Sequence, residues 1–163
     1  MAEIAAGARL PGAKLLKAGP NGPETVDLAA ALAGRKVVIF GLPGAYTGTC
    51  STAHVPSFIR TAGSFAEKGV DEIICISVND PFVMKAWGEA TGATAAGITF
   101  LADADGAFTR AIGLAFDAPA AGLFGRSERY ALLADDGVVR VLNLEANAGT
   151  CDISAGEGLL AVI

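Results

Sequence analysis

The stretch Lys36-Val37-Val38-Ile39-Phe40-Gly41-Leu42-Pro43-Gly44-Ala45-Tyr46-Thr47-Gly48-Thr49-Cys50 decides the fold. Lys36 to Leu42 is a continuous apolar run rich in β-branched residues, the pattern of a parallel strand covered on both faces. A short turn follows, and from Thr49 the chain reads as a helix reaching about Lys68, bent at Pro56, where proline removes a backbone donor and crowds the preceding turn. Cys50 thus falls in the first turn of a helix delivered by a buried strand. Unpaired backbone N–H groups and the positive end of the helix dipole meet there, and both favour thiolate over thiol.

Upstream, Asp27-Leu28-Ala29-Ala30-Ala31-Leu32-Ala33 is a short helix with Asp27 as N-cap and Gly34 as its stop. Downstream, Glu72-Ile73-Ile74-Cys75-Ile76-Ser77-Val78 is a second buried strand. Asn79-Asp80-Pro81 caps and opens a helix running to about Ala90, with Phe82, Ala86 and Ala90 on its apolar stripe and Val83 and Trp87 beside it. A third strand covers Ile98 to Leu101, and Asp105 to Leu114 reads as a short helix. Tyr130–Ala134 and Val138–Leu142, joined by Asp135-Asp136-Gly137, form a hairpin, and Ser154 to Ile163 a last helix. This order predicts an α/β protein with a central mixed β-sheet flanked by helices, and a thioredoxin-like fold fits it.

The 163 residues suit a single domain spanning 1–163. With 52% hydrophobic and 18% charged residues the chain can bury a sizeable core. Its 12 Lys and Arg against 17 Asp and Glu give a net charge of −5 without a basic cluster, which argues against nucleic acid. No apolar run approaches the roughly 20 residues of a membrane helix. Three widely spaced cysteines do not make a secreted disulfide framework and suit a reducing compartment. The N-terminal residues lack leader or transit character, so the expected location is cytoplasmic, with an organellar form after transit-peptide removal left open.

For any cysteine, lowering the pKa from ~8.5 to ~6 raises the thiolate at pH 7 only about thirtyfold, about 2 kcal/mol. A nucleophile at Cys50 therefore also needs groups that position an electrophile and stabilise a leaving group. Thr47, three residues upstream, can supply a hydroxyl, and Pro43 can shield the sulfur from water. His54, four residues downstream, shares the face of Cys50; a Cys-x-x-x-His pair without nearby further ligands points to a supporting role rather than to a metal.

Pro43-x-x-x-Thr47-x-x-Cys50 resembles the active-site motif of peroxiredoxins. Phe40-Gly41-Leu42-Pro43-Gly44-Ala45, His54-Val55-Pro56-Ser57-Phe58, the run from Glu72 to Trp87, Phe100-Leu101-Ala102-Asp103 and Arg126-Ser127-Glu128-Arg129-Tyr130-Ala131-Leu132-Leu133 are similar to the type II, atypical two-cysteine, plant-type class. The resemblance implies a thioredoxin fold and a thiol peroxidase that reduces hydrogen peroxide and alkyl hydroperoxides. It places the catalytic groups on Cys50, Thr47, Pro43 and Arg129, the last stabilising the thiolate and the departing hydroxide or alkoxide. Cys50 would become a sulfenic acid, a second thiol would condense with it, and thioredoxin or glutaredoxin with glutathione would restore it. No cofactor or metal is implied, and a homodimer formed through loops near the active site is. Two positions depart from the family pattern: Gly48 stands where proline is usual, and Tyr46, adding a hydroxyl near the pocket, where phenylalanine is usual.

Two cysteines compete to resolve the sulfenic acid. Cys75, 25 residues after Cys50, has the plant-type spacing but reads as buried in a strand. Cys151 lies in the loop-like Gly149-Thr150-Cys151-Asp152, near where animal-type relatives carry theirs. External glutathione is the third possibility. Among other activities, a thioredoxin-type oxidoreductase lacks its Cys-x-x-Cys, because Ser51, Thr52 and Ala53 follow Cys50. A cysteine hydrolase lacks an orienting carboxylate, and a non-catalytic oxidation sensor would differ in not consuming peroxide.

Overall fold

The computed structural model describes residues 3–163. Its centre is a seven-stranded sheet in the order β2-β1-β5-β4-β3-β8-β9, formed by β1 (Lys14–Gly19), β2 (Gly22–Asp27), β3 (Lys36–Gly41), β4 (Glu72–Ser77), β5 (Thr99–Ala102), β8 (Tyr130–Asp135) and β9 (Val138–Leu144). Strands β3, β4 and β5 are parallel, whereas β8 joins β3 and β1 joins β5 antiparallel. A separate ribbon pairs β6 (Ala115–Ala118) with β7 (Leu123–Ser127). Helices α1 (Leu28–Leu32), α2 (Val55–Glu67), α3 (Pro81–Ala90), α4 (Ala107–Ala111) and α5 (Gly156–Leu160) complete the chain.

The alternation of β3 explains why its sequence is apolar throughout. Val38 and Phe40 join Phe58, Phe65, Trp87 and Leu159 in one core layer; Val37 and Ile39 join Leu28, Leu32 and Phe108 in the other. At the end of β3, Gly41 lies opposite Tyr130, and a Cβ there would run into the Tyr130 ring. The two helix caps read from sequence form as expected. Asp27 accepts from the Ala30 N–H at 3.2 Å and Asp80 from the Val83 N–H at 2.8 Å.

Several elements differ from the sequence reading. The helix after the Cys50 turn is not one bent rod. Cys50–His54 is a single wide π turn, closed by the Val55 N–H donating to the Cys50 carbonyl, and α2 starts with Pro56 in its first turn. In a regular helix the Pro56 ring would meet the Thr52 carbonyl, and the wider turn relieves that clash. On α3 the Phe82, Ala86, Ala90 stripe is exposed; Pro81, Met84, Trp87 and Gly88 face the core instead. Apolar residues on two sides of that helix leave its sequence period ambiguous. The terminal helix contracts to Gly156–Leu160 and the Asp105–Leu114 helix to Ala107–Ala111. The β1–β2 hairpin and the β6–β7 ribbon carry no continuous apolar run, because their strands are largely half-exposed, and the sequence reading missed both.

Phe58 anchors α2 to the sheet: it is fully buried, stacks on Phe40 with ring centroids 4.1 Å apart and lies 5.8 Å from Phe65. Phe58→Ala is expected to lower the unfolding free energy by about 3–5 kcal/mol, measured by urea denaturation; a loss below about 1 kcal/mol would show that the cavity collapses.

Candidate active site

Strand order brings distant residues to one end of the sheet. β3 delivers the 43–50 turn, the parallel β4 delivers Asn79 at the same end, and β8, running the other way, begins there just after Arg129. Asn79 Oδ1 accepts from the Ala45 N–H at 3.0 Å and from the Ser77 hydroxyl at 2.6 Å, which fixes the turn to the end of β4. The Arg126 guanidinium donates to the Pro43 carbonyl at 3.0 Å from the other side.

Cys50 is fully buried, and Arg129 Nη2 donates to its Sγ at 3.2 Å. Arg129 is only 2% exposed, and among the described residues no carboxylate pairs with it. Its other bonds go to neutral acceptors: Nε and Nη2 donate to the Ala148 carbonyl at 3.1 and 3.0 Å, and Nη1 to His54 Nδ1 at 3.0 Å. The His54 ring reaches the Ser154 carbonyl with Nε2 at 3.0 Å. A carbonyl only accepts, so the imidazole proton sits on Nε2 and Nδ1 is free to accept from Arg129. Burial, and next the Arg129 charge, push His54 from 6.5 down to about 3, so the ring is neutral.

Thr47 is half-buried, and its hydroxyl donates to the Gly44 carbonyl at 2.7 Å. Its oxygen lone pairs remain available as acceptors. Pro43, Thr47 and Arg129 line a cleft of about 440 Å³ whose apolar wall is Phe116, Ala118 and Leu123 from the β6–β7 ribbon. The structure thus brings together Cys50, Thr47, Pro43 and Arg129. Tyr46 does not add its hydroxyl to this cleft: it is 59% exposed, lies outside the lining and has a left-handed φ of 63°. Gly48 keeps an ordinary φ, and a side chain there would meet nothing within 4 Å.

All three cysteines are free thiols. Cys75 is fully buried on β4, in register with Phe40 on one side and Phe100 on the other. Burial, then the neighbouring Cys50, push its thiol well up. Cys151 is half-buried in the loop before α5, and burial raises its thiol too. Among the described residues no group of His, Cys, Asp and Glu could hold a metal.

A fully buried thiol at a helix start, under a guanidinium and at the end of a mixed sheet, is the arrangement of a thioredoxin-fold thiol enzyme. The redoxin family model matches residues 5–160. Rice Peroxiredoxin-2E-2, chloroplastic, is 49% identical over 166 residues, covering 99% of this chain and 74% of its own. Rice Peroxiredoxin-2C is 45% identical and covered completely by both chains. The crystal structure of reduced Prx3 in complex with H2O2 from Vibrio vulnificus superposes with a TM-score of 0.89 at 47% identity, covering 97% of this chain and 98% of that one. The chain belongs to the type II peroxiredoxins. It is a thiol-dependent peroxidase with an antioxidant role, reducing hydroperoxides at the expense of a thiol reductant. Relatives include chloroplastic and mitochondrial proteins, and no described helix is long and apolar enough to cross a membrane.

Sequence reasoning missed Arg126 and Asn79 as parts of this arrangement. Both stand inside segments quoted for other reasons, and only pairing across 34 residues for Asn79 and 83 for Arg126 gives them their partners.

Neutral His54 makes folding pH-dependent. Below about pH 6.5 the unfolded chain binds a proton that the folded one refuses, so stability falls with falling pH, by about 1.4 kcal/mol per unit down to about pH 3. Between pH 6.5 and 5 this predicts a loss of about 2 kcal/mol in denaturant unfolding. His54→Gln should flatten that slope, and an unchanged slope would assign it to other groups.

Proposed function

We propose that Cys50 is the nucleophile that attacks a hydroperoxide, with Thr47, Pro43 and Arg129 as its pocket. The observation that carries this reading is the Arg129 guanidinium 3.2 Å from the buried Cys50 sulfur, with no carboxylate among the described residues to neutralise it. A buried guanidinium needs a compensating negative charge, and the thiolate supplies it. The thiolate attacks the outer peroxide oxygen, the O–O bond breaks, and the leaving hydroxide or alkoxide takes a proton to become water or alcohol. Cys50 is left as a sulfenic acid. Thr47 accepts a hydrogen bond from the peroxide O–H while Arg129 meets the charge growing on the leaving oxygen. Pro43, buried in the cleft wall, keeps bulk water from the sulfur.

Cys151 is the better supported resolving thiol. Cys75 sits on a central strand with β3 and β5 bonded on both sides, so moving it to Cys50 disrupts the middle of the sheet. Cys151 lies on a half-buried loop next to Ala148, which already contacts Arg129. The Cys50–Cys151 disulfide is then reduced by thioredoxin; glutathione with glutaredoxin serves the sulfenic acid directly when Cys151 is missing. The chain acts as a single domain and as a homodimer. Tyr46, Phe82 and Phe124 are 59%, 60% and 65% exposed, and Asn79 and Arg126 tie their segments around the active-site turn, which suits a second copy of this chain. Free thiols suit a reducing compartment, and we place the protein in the cytoplasm.

Stopped-flow oxidation of the reduced protein tests the pocket. Cys50→Ser should abolish peroxide consumption, and Arg129→Gln should lower the second-order rate constant at least tenfold, about 1.4 kcal/mol in the barrier. Full activity of Cys50→Ser, or an unchanged rate in Arg129→Gln, would sink the respective assignment. In steady state, Cys75→Ser should retain thioredoxin-supported turnover and Cys151→Ser should lose it while keeping turnover with glutathione and glutaredoxin; the reverse pattern would assign Cys75.

A further inference from the structure

The loop that carries Cys151 is held by a carboxylate that the oxidation of Cys50 does not use. Glu145 follows β9, is 8% exposed, and pairs with no cation among the described residues. Its Oε1 accepts from the Asp152 N–H at 2.6 Å, the Ser154 N–H at 2.9 Å and the Ser154 hydroxyl at 2.8 Å; its Oε2 accepts from the Thr150 hydroxyl at 3.4 Å. These donors come from both sides of Cys151. Burial alone would raise the Glu145 carboxyl, but the bonds from Ser154, Asp152 and Thr150 hold it below the ordinary range, so it is charged at neutral pH. Charge-assisted bonds of this kind are roughly twice as strong as neutral ones, and a buried carboxylate that loses them is costly.

Cys151 has to move to react. Both thiols are free, Cys50 is fully buried, and the Arg129 group that contacts its sulfur is bonded to Ala148 of the same loop. We propose that Glu145 is a positioning residue of the resolving step: a clamp that holds residues 150–154 in the reduced protein and has to release before Cys151 reaches the Cys50 sulfenic acid. This rests on Cys151 being the resolving thiol. In that step the Cys151 sulfur attacks the sulfenic sulfur, the S–S bond forms as the S–O bond breaks, and the departing hydroxide takes the Cys151 proton to leave as water.

The test separates the two chemical steps. Reduced protein is mixed with one equivalent of hydrogen peroxide; peroxide loss reports oxidation, and mass spectrometry of acid-quenched samples reports the Cys50–Cys151 disulfide. Glu145→Gln is expected to form the disulfide at least about tenfold faster, as release of charge-assisted bonds predicts, with peroxide loss within about twofold of the parent. Hydrogen exchange in the reduced state gives a thiol-independent reading. The Asp152 and Ser154 amides should exchange at least about tenfold faster in Glu145→Gln, with β4 as protected as in the parent. Ser154→Ala, which removes one donor and no charge, should loosen the same amides less, and carries the test if Glu145→Gln does not fold. Unchanged or slower disulfide formation, or unchanged protection at the two amides, overturns the clamp. A parent that forms no Cys50–Cys151 disulfide overturns the resolving reading itself, and the role of Glu145 in it.

Discussion

A buried guanidinium without a carboxylate is the constraint from which the rest of the site follows. Removing a charge from water costs several kcal/mol, and neutral acceptors return only part of that. Arg129 has the Ala148 carbonyl, His54 Nδ1 and the Cys50 sulfur. Each has to be in place at once, so the helix start, the strand start and the loop before α5 depend on one another. The Ser154 carbonyl sets the His54 tautomer, and that tautomer offers Nδ1 to Arg129.

The topology makes this convergence inexpensive in chain entropy. Gly41 of β3 is opposite Tyr130 of β8, and Tyr130 is opposite Leu144 of β9. The residues just beyond these three therefore share one end of the sheet: the turn leading to Cys50, Arg129 and Glu145. The Glu145 N–H donates to the Arg129 carbonyl at 3.0 Å, extending the ladder by one rung to support the arginine. Parallel β4 ends there as well and supplies Asn79. Arg129 and Asn79 are thus mounted at the end of the rigid sheet, whereas the 43–50 turn and the 147–155 segment are also held by side-chain bonds.

This geography accounts for what was legible in the sequence. Strands β3, β4 and β8 are buried on both faces and read as apolar runs; Asp27 and Asp80 announce their helices because a cap bonds within its own turn. Cys50, Thr47 and Pro43 lie in one local motif, and Arg129 stands before a strand that its apolar run reveals. What was not legible is either half-exposed, as in β1, β2, β6 and β7, or defined by long-range pairing. Nothing near Arg126 in sequence marks Pro43, 83 residues away, as its partner, and the bonds of Glu145, though they span only five to nine residues, follow no regular helix or strand pattern. The π turn shows another limit. Pro56 signals a disturbance, but widening the turn and bending the helix both relieve the same clash, and only packing of Cys50 and His54 against Arg129 separates them.

His54 shows why a neutral group holds the arginine. A carboxylate at this position would pair with Arg129 more strongly, but it would also neutralise the guanidinium in a region from which water is excluded. The field at the Cys50 sulfur, 3.2 Å from Nη2, would then be weakened by a fixed negative charge nearby. An imidazole kept neutral by burial accepts one hydrogen bond, fixes the orientation of the guanidinium and leaves its positive charge facing the sulfur. The same reasoning applies to Ala148, whose carbonyl takes two donors without adding a charge. Glu145, whose N–H bonds the Arg129 carbonyl, spends its charge on the 150–154 loop instead of on Arg129. The site is thereby divided into a cationic half around Cys50 and an anionic half around Cys151, with His54 and Ser154 as the neutral bridge between them.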